Sequence, residues 1–358
     1  MKTVVQIIQH LRPGGIETLS LDLLNYGNPN DRTILISLEG TLEEACRHWP
    51  RISRFQSRLL FLNKRQGFQP TLIFKIAKLL QRLNADIVHT HHIGPLIYGA
   101  IAARLARVKH RIHTEHDAWH LQDEHRRKLQ RVALFFARPK LVADAENVAG
   151  SMMKYLQRTD VRVIKNGIDT YRFSPGNPIT ARHKLNLPEQ TTLIGCSGRL
   201  EKVKGHHILL EAVARLPEDV HLVLAGNGSR EIPLRQQAEV LGISERVHFL
   251  GQIDEMPTFY QAIDLFCLPS LNEGFPLSPL EAQACGIPAV ITDVGGARET
   301  LSPDIGKLVG KGDPQQLAIA LQEMLEQPNP YNPRTFVESE ANVRTMIHNY
   351  ASLTAPSY

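Results

Sequence analysis

The chain has 358 residues, 42% hydrophobic and 22% charged, an ordinary globular composition and enough length for two domains of about 150 to 200 residues with separate cores. No apolar run approaches the roughly 18 residues of a membrane-spanning helix. The opening MKTVVQIIQH is too short and too polar for a signal peptide, so a cytoplasmic location is expected. The formal net charge of +5 divides unevenly: residues 1–170 hold 26 Lys and Arg against 15 Asp and Glu, leaving 15 against 21 in the remainder. Basic blocks such as RHWPRISRFQSR (47–58), Lys64-Arg65 and RRKLQR (126–131) supply the excess. They read either as solvated helix faces or as a surface drawn to anionic lipid or a phosphate-bearing acceptor. No aromatic platform or helix-turn-helix pattern accompanies them, which argues against nucleic acid. The four cysteines, Cys46, Cys196, Cys267 and Cys285, form no C-x-x-C pair and read as reduced, mostly buried thiols.

Short apolar strands alternate with helices along the first half. VVQII (4–8), TILISL (33–38), DIVHT (86–90), RIHTEH (111–116), KLVAD (140–144) and VRVIKNG (161–167) are predicted strands, with helices near 16–26, 70–83 and 95–107. A second series runs through TTLIGCSG (191–198), HLVLAG (221–226), RVHFLG (246–251), LFCLPS (265–270) and PAVIT (288–292). This order implies two doubly wound parallel α/β domains joined near Asn166–Pro175, with ligand at the carboxyl ends of the strands, in the cleft between the domains. After the Pro-rich segment PNPYNPR, residues 336–353 read as one last helix.

Several turns carry candidate chemistry. Gly14-Gly15 before the first helix permits close backbone approach to an anion, although a plain turn is an equal reading. Ten of the sixteen histidines precede residue 170, in two clusters: His89-Thr90-His91-His92, and His113-Thr114-Glu115-His116-Asp117 with His120. A zinc hydrolase is the competing reading of these. Yet each cluster ends a predicted strand, where alternation separates neighbours, and no H-E-x-x-H helix exists, so no metal site is expected. In GRLEKVKG (198–205) two cations, Arg199 and Lys204, sit near a helix N-terminus, where the dipole disfavours them unless an anion is close.

The richest stretch is EGFPLSPLEAQACGIPAVITDVGGARE, residues 273–299. Its loop–helix–strand–loop order places glycine turns beside a helix N-terminus, where backbone N–H groups converge on a diphosphate. Ser278-Pro279-Leu280-Glu281 matches a capping box, which would make Glu281 structural. Glu273 caps nothing evident. A carboxylate beside a phosphate site makes sense when it accepts from hydroxyls, and nucleotide sugars carry both groups.

These residues resemble a known family. E-G-F-P-x4-E-A-x-A-C-G-I-P-A-V followed by G-G-x-x-E is similar to the E-x7-E signature of retaining glycosyltransferases, specifically glycosyltransferase family 4 with the GT-B fold. That resemblance implies two Rossmann-like domains facing each other across a cleft. Residues 1–170 would bind acceptor, 171–335 would bind the nucleotide sugar, and 336–358 would cross back to the first domain. It implies that Arg199, Lys204 and the Gly14-Gly15 turn contact the donor diphosphate, together with Gly274, Phe275 and N–H groups near Pro276 and Leu277. Glu281 would accept from the ribose and Glu273 from sugar hydroxyls, while Ala225-Gly226-Asn227-Gly228 lies near the nucleotide. His116, or failing that His113, would enter the cleft beside the reacting sugar. The segment 163–175 resembles the family's interdomain hinge.

The implied reaction is transfer of a hexosyl unit, with retention, from a UDP-linked sugar to a glycan, lipid-linked or polysaccharide acceptor of the bacterial envelope. It would need no metal or cofactor, His116, Glu273, Arg199 and Lys204 would take part in the chemistry, and peripheral contact with an anionic membrane would accompany it. Pro276 and Ser278 depart from the usual pattern and leave the donor open. The alternatives are a nucleotide-sugar epimerase or phosphorylase on the same fold, or a non-catalytic carbohydrate-binding protein.

Overall fold

The computed structural model describes residues 1–326 and 332–355, and the chain forms two compact units. The first comprises Met1–Gly167 together with the segment that begins at Val343; the second is Ile168–Asn342. Most of the Pro-rich loop expected at 328–334 lies outside the described residues.

The first unit holds a seven-stranded parallel sheet in the order β3-β2-β1-β4-β5-β6-β7. Its strands are β1 (Thr3–Ile8), β2 (Arg32–Ser37), β3 (Leu59–Phe61), β4 (Ile87–His91), β5 (His110–Glu115), β6 (Lys140–Ala143) and β7 (Val161–Val163). The central strands are buried along almost their whole length because both faces are covered, as parallel sheets require, although β1 carries Gln6 and β4 carries His89, Thr90 and His91. On one face Val5, Ile7, Ile36 and Val88 pack against Leu72, Ile76 and Leu80 of the helix Pro70–Arg82. Elsewhere in the unit Leu19, Leu23, Ile112 and Val142 pack with Val343, Met346, Tyr350 and Leu353.

The second unit holds a six-stranded parallel sheet, β10-β9-β8-β11-β12-β13. These strands are β8 (Thr192–Ser197), β9 (Val220–Ala225), β10 (Val247–Gly251), β11 (Leu265–Leu268), β12 (Ala289–Thr292) and β13 (Lys307–Val309). Ile194, Cys196, Leu222, Leu224, Leu265, Cys267 and Val290 form the strand side of its core. All four cysteines are free thiols, three of them buried, and burial pushes Cys196 and Cys285 up to about 12.

The structure departs from the sequence reading in three places. The helix expected at 95–107 is a helical turn Ile93–Pro95, a π turn Leu96–Ala100 and a short helix Ile101–Leu105. The segment 336–353 is two helices, Arg334–Glu340 and Val343–Ser352, broken at Ala341-Asn342. Asn342 instead lies in a bridge with Ile168, so residues 336–342, expected with the first domain, belong to the second unit. The strands β3 and β13 were not foreseen: three residues at a sheet edge carry no readable period.

Candidate active site

In the second unit, the loops that follow β8, β9, β11 and β12 gather at the carboxyl edge of one sheet, where open parallel sheets bind ligands. Lys204, from the loop after β8, places Nζ 2.6 Å from Oε1 of Glu273, from the loop after β11. The Ser270 hydroxyl donates to the same oxygen at 2.6 Å. Glu273 is 8% exposed, so its charge is supported by these two donors rather than by bulk water. Ser270 is itself fixed through its carbonyl, which accepts from Thr292 Oγ1 at the end of β12 at 2.5 Å. The anion that Lys204 requires beside a helix N-terminus is thus Glu273. Arg199 stands exposed in the same loop, and its guanidinium makes no hydrogen bond or ion pair among the described residues.

Glu281 is not the N3 residue of a capping box. The helix Ser278–Ala284 starts one residue earlier than expected: Leu277 is its N-cap in an αR conformation, with no side-chain cap bond, and the Glu281 N–H donates to the Leu277 carbonyl. The carboxylate accepts from the Tyr260 hydroxyl at 2.6 Å, and that hydroxyl is also 3.0 Å from Ser197 Oγ at the end of β8. Pro276 and Pro279 carry no N–H, so Leu277 and Ser278 are the donors available at this turn. Gly274 accepts from Gly296 N at 2.8 Å, while Phe275 and Pro276 are buried beneath the loop. Gly226 and Gly228 pack against the β8 loop so closely that a Cβ would lie 2.0 Å from the Gly198 oxygen or 2.4 Å from that of Leu200.

Gly14 and Gly15 lie in the first unit, as N-cap and first residue of the helix Gly15–Tyr26. Glu17 bends back over this turn, and its carboxylate is 3.2 Å from His10 Nδ1.

The histidine clusters at the ends of β4 and β5 are joined across the sheet. His91 Nδ1 is 2.9 Å from His116 Nε2, His91 Nε2 is 3.0 Å from Gln6 Oε1, and His116 Nδ1 is 3.0 Å from Asp144 Oδ2. Burial and the charge of His92 hold the His116 imidazole down at about 3, and burial pushes Asp144 well above the usual carboxylate value against an Asn166 hydrogen bond. With the Gln6 carbonyl facing His91, each ring donates from Nε2 and accepts at Nδ1, and the proton between His116 and Asp144 resides on the acid. His116 therefore has both nitrogens engaged and is buried, as is His113, which bonds Thr90 and Glu115. His92 is the partly open member, with its side chain 28% exposed, φ at +67° and a 3.4 Å contact to Glu115. Among the described residues no group of three or more His, Cys, Asp or Glu side chains is arranged to hold a metal ion.

The Glycosyltransferase Family 4 model matches residues 13–172 and the Glycosyl transferases group 1 model residues 179–341. The D-inositol 3-phosphate glycosyltransferase of Corynebacterium urealyticum is 33% identical over 300 residues, 77% of this chain and 68% of that one. The chain belongs to glycosyltransferase family 4. The enzyme is also 26% identical over 349 residues, 88% of its own length and 86% of the relative's, to the GDP-mannose-dependent monoacylated alpha-(1-6)-phosphatidylinositol monomannoside mannosyltransferase of Corynebacterium glutamicum. Two other proteins named D-inositol 3-phosphate glycosyltransferase are matched over 43% of their length. The crystal structure of Anabaena HepE in complex with UDP-glucose superposes with a TM-score of 0.84 at 25% identity, covering 98% of this chain and 99% of that one. The fold is the GT-B architecture that the motifs imply.

Of the expected residues in the second unit of this glycosyltransferase, the structure brings Lys204 and Glu273 into contact, sets Gly226, Gly228 and Gly274 in the neighbouring loops of the same edge and places Glu281 on the helix Ser278–Ala284. Sequence reasoning missed Tyr260, Ser270 and Asp144, and noted His91 only as a member of a histidine cluster. Tyr260 lies in no motif and reaches Glu281 from a helix, Met256–Ala262, 21 residues earlier. Asp144 follows a strand and could have been noticed only as an acid ending an apolar run.

Proposed function

We propose that this glycosyltransferase is a retaining hexosyltransferase that draws its sugar from a nucleotide diphosphate sugar, UDP-linked and without a divalent metal. The acceptor is a glycan or lipid-linked intermediate of bacterial envelope polysaccharide biosynthesis, met at the cytoplasmic face of the membrane. The observation that carries the reading is the Lys204–Glu273 pair, 2.6 Å apart, at the sheet edge that also presents Arg199 and Glu281. A cation already balanced by a carboxylate can meet phosphate oxygens while the carboxylate meets sugar hydroxyls. Glu273 accepts both protein bonds at Oε1, which turns Oε2 to the ligand. Arg199 and Lys204 stabilise charge on the departing phosphate as preorganised donors. Attack comes from the face that the phosphate leaves, and the phosphate takes the acceptor proton. Within the first unit the Gly14-Gly15 turn offers backbone N–H groups at a helix N-terminus, and His116 is held in a buried chain to Asp144 with no free ring nitrogen.

The relatives support a lipid or glycan acceptor by their names: one acts on an inositol phosphate, one on a phosphatidylinositol mannoside, and one from Rhizobium meliloti is a lipopolysaccharide core mannosyltransferase. The nucleotide is tested by thermal unfolding against UDP-, GDP- and ADP-sugars with and without Mg²⁺. A hundredfold excess over Kd should stabilise the protein by about 2.7 kcal/mol for the right donor, equally in EDTA, and Arg199→Ala and Glu281→Ala should abolish the shift. Product anomers read by NMR should keep the donor's configuration. No shift with any nucleotide sugar, unchanged donor turnover in Arg199→Ala and Lys204→Ala, or an inverted product would overturn the reading.

A further inference from the structure

In the first sheet the chain leaves β1 toward β2 and β3 and leaves β4 toward β5, β6 and β7, so the loops after β1 and β4 part where the strand order reverses. Open α/β sheets bind ligands in that crevice. The two loops meet there, because a Cβ on Gly94 would lie 2.0 Å from Gln9 Oε1. The first residue beyond β4 is His92, with φ +67° and ψ 169°. That backbone region is left almost wholly to glycine, and strain of this kind gathers where a side chain must be held for function. His91, His113, His116 and His120 have both ring nitrogens engaged within the protein. His92 differs. Its Nδ1 faces Glu115 Oε1 at 3.4 Å, its ring stands edge-on to that of His116, and Nε2 has no hydrogen-bond partner among the described residues. Glu115 cannot turn away, since Gln130 Nε2 donates to its other oxygen at 2.6 Å.

A carboxylate behind one ring nitrogen fixes the aim of the other. Burial opposes a charge on His92, but the Glu115 bond and the charges of Glu115, Asp117 and Glu17 raise its pKa, so Nε2 is a donor. Those three carboxylates outnumber the imidazoliums of His92 and His120, and His10, 3.2 Å from Glu17, could only balance the sum. The crevice therefore lacks the positive excess that a phosphate needs, and an uncharged hydroxyl is the better partner for Nε2. We propose that His92, rather than His116 or His113, is the imidazole of the first unit that touches substrate. Held through Nδ1 by Glu115, it donates from Nε2 to a hydroxyl of a sugar or polyol bound where the β1 and β4 loops part. The assignment rests on the proposed glycosyl transfer and adds to it a residue that selects substrate by a hydroxyl.

The test is NMR of the full chain with ¹³C-labelled histidines, the His92 ring signal being the one missing from His92→Gly. The probes are UDP-glucose, UDP-N-acetylglucosamine and GDP-mannose, then UDP and GDP alone, myo-inositol and inorganic phosphate. The His92 signal should move with a nucleotide sugar and not with its bare nucleotide if the hydroxyl is the donor's, or with myo-inositol if it is the acceptor's. The His92→Gly variant should bind that same probe at least about tenfold more weakly. It should melt no lower than wild type, because glycine adopts this backbone without strain. A His92 signal that moves with inorganic phosphate or a bare nucleotide, or with no probe, would overturn the proposal. So would a His92→Gly variant that melts lower yet binds sugar as wild type does, which would make the imidazole structural. Absence of a thermal shift with every nucleotide sugar counts against the donor reading, whereas a thermal shift with a still His92 signal counts only against the role of His92.

Discussion

Glu115 is fully buried, yet it is ionised because several groups serve it. Gln130 Nε2 donates at 2.6 Å, His113 Nε2 and His92 Nδ1 lie at 3.4 Å, and His120 Nε2 at 4.0 Å. Burial alone would raise its pKa, but the hydrogen bonds from His113 and His92 hold it below the ordinary carboxylate range. His120 takes the complementary shift. Burial lowers it, but the Asp117 hydrogen bond at 3.1 Å and the Glu115 charge raise it to about 9. A histidine whose folded pKa exceeds its unfolded value binds more protons in the native state, so its stabilisation is complete below about pH 6.5. It is lost as pH rises through about 9, at no more than about 1.4 kcal/mol per pH unit. His120→Gln should therefore be less stable than wild type near pH 6, and its stability should fall less steeply between about pH 7 and 9. Urea unfolding across that range measures both slopes. Parallel curves would mean that His120 is uncharged in the native protein. His92, whose pKa is also raised against burial by Glu115, stays in both proteins and cancels from the comparison.

The loops at the carboxyl edge of the second sheet hold one another in place through their backbones. Gly295, after β12, has φ +56°, and a Cβ there would lie 1.8 Å from the Glu273 carbonyl oxygen. Gly312 has φ +83° with open space around it. Gly312→Ala bears only the cost of a left-handed alanine, about 1–2 kcal/mol. Gly295→Ala adds overlap with a carbonyl that cannot swing aside, for about 2–4 kcal/mol in all. It should also displace Glu273 and diminish the nucleotide-sugar shift, which Gly312→Ala should keep; thermal unfolding with and without donor separates the two. Equal losses would mean that the Glu273 loop yields freely. This edge was legible in the sequence because glycine turns, Arg199, Lys204 and Glu273 mark the loops themselves. Its wiring was not. A capping box is a four-residue pattern, and Tyr260, 21 residues away, gave Glu281 another partner. The chain from Gln6 through His91 and His116 to Asp144 likewise depends on which residue of β4 stands beside which of β5, and alternation alone leaves that register open.

At the scale of the whole chain, the two units differ in how they are closed. Ile168–Asn342 is continuous and carries its own six-stranded sheet, its core and the residues Arg199, Lys204, Glu273 and Glu281. The first unit is completed only when the chain returns at Val343. Val343, Met346, Tyr350 and Leu353 are buried with Leu19, Ile112 and Val142, and the Tyr350 hydroxyl lies 3.1 Å from Thr114 Oγ1 at the end of β5. Removing a large buried apolar side chain costs about 2–5 kcal/mol, and a domain has about 5–15 kcal/mol in all. Deleting four together removes about 8–20 kcal/mol, at least about half of that margin and up to all of it. A fragment of residues 1–167 should therefore show no cooperative thermal transition, and a fragment of residues 168–342 should melt cooperatively. If the donor site is the one proposed, the second fragment should also keep a nucleotide-sugar shift. Adding the peptide 343–358 to the first fragment should restore a transition whose midpoint rises with peptide concentration, as ligand binding to the native state requires. A cooperative melt of residues 1–167 without the peptide would show that the returning helix decorates the first unit rather than completing its core.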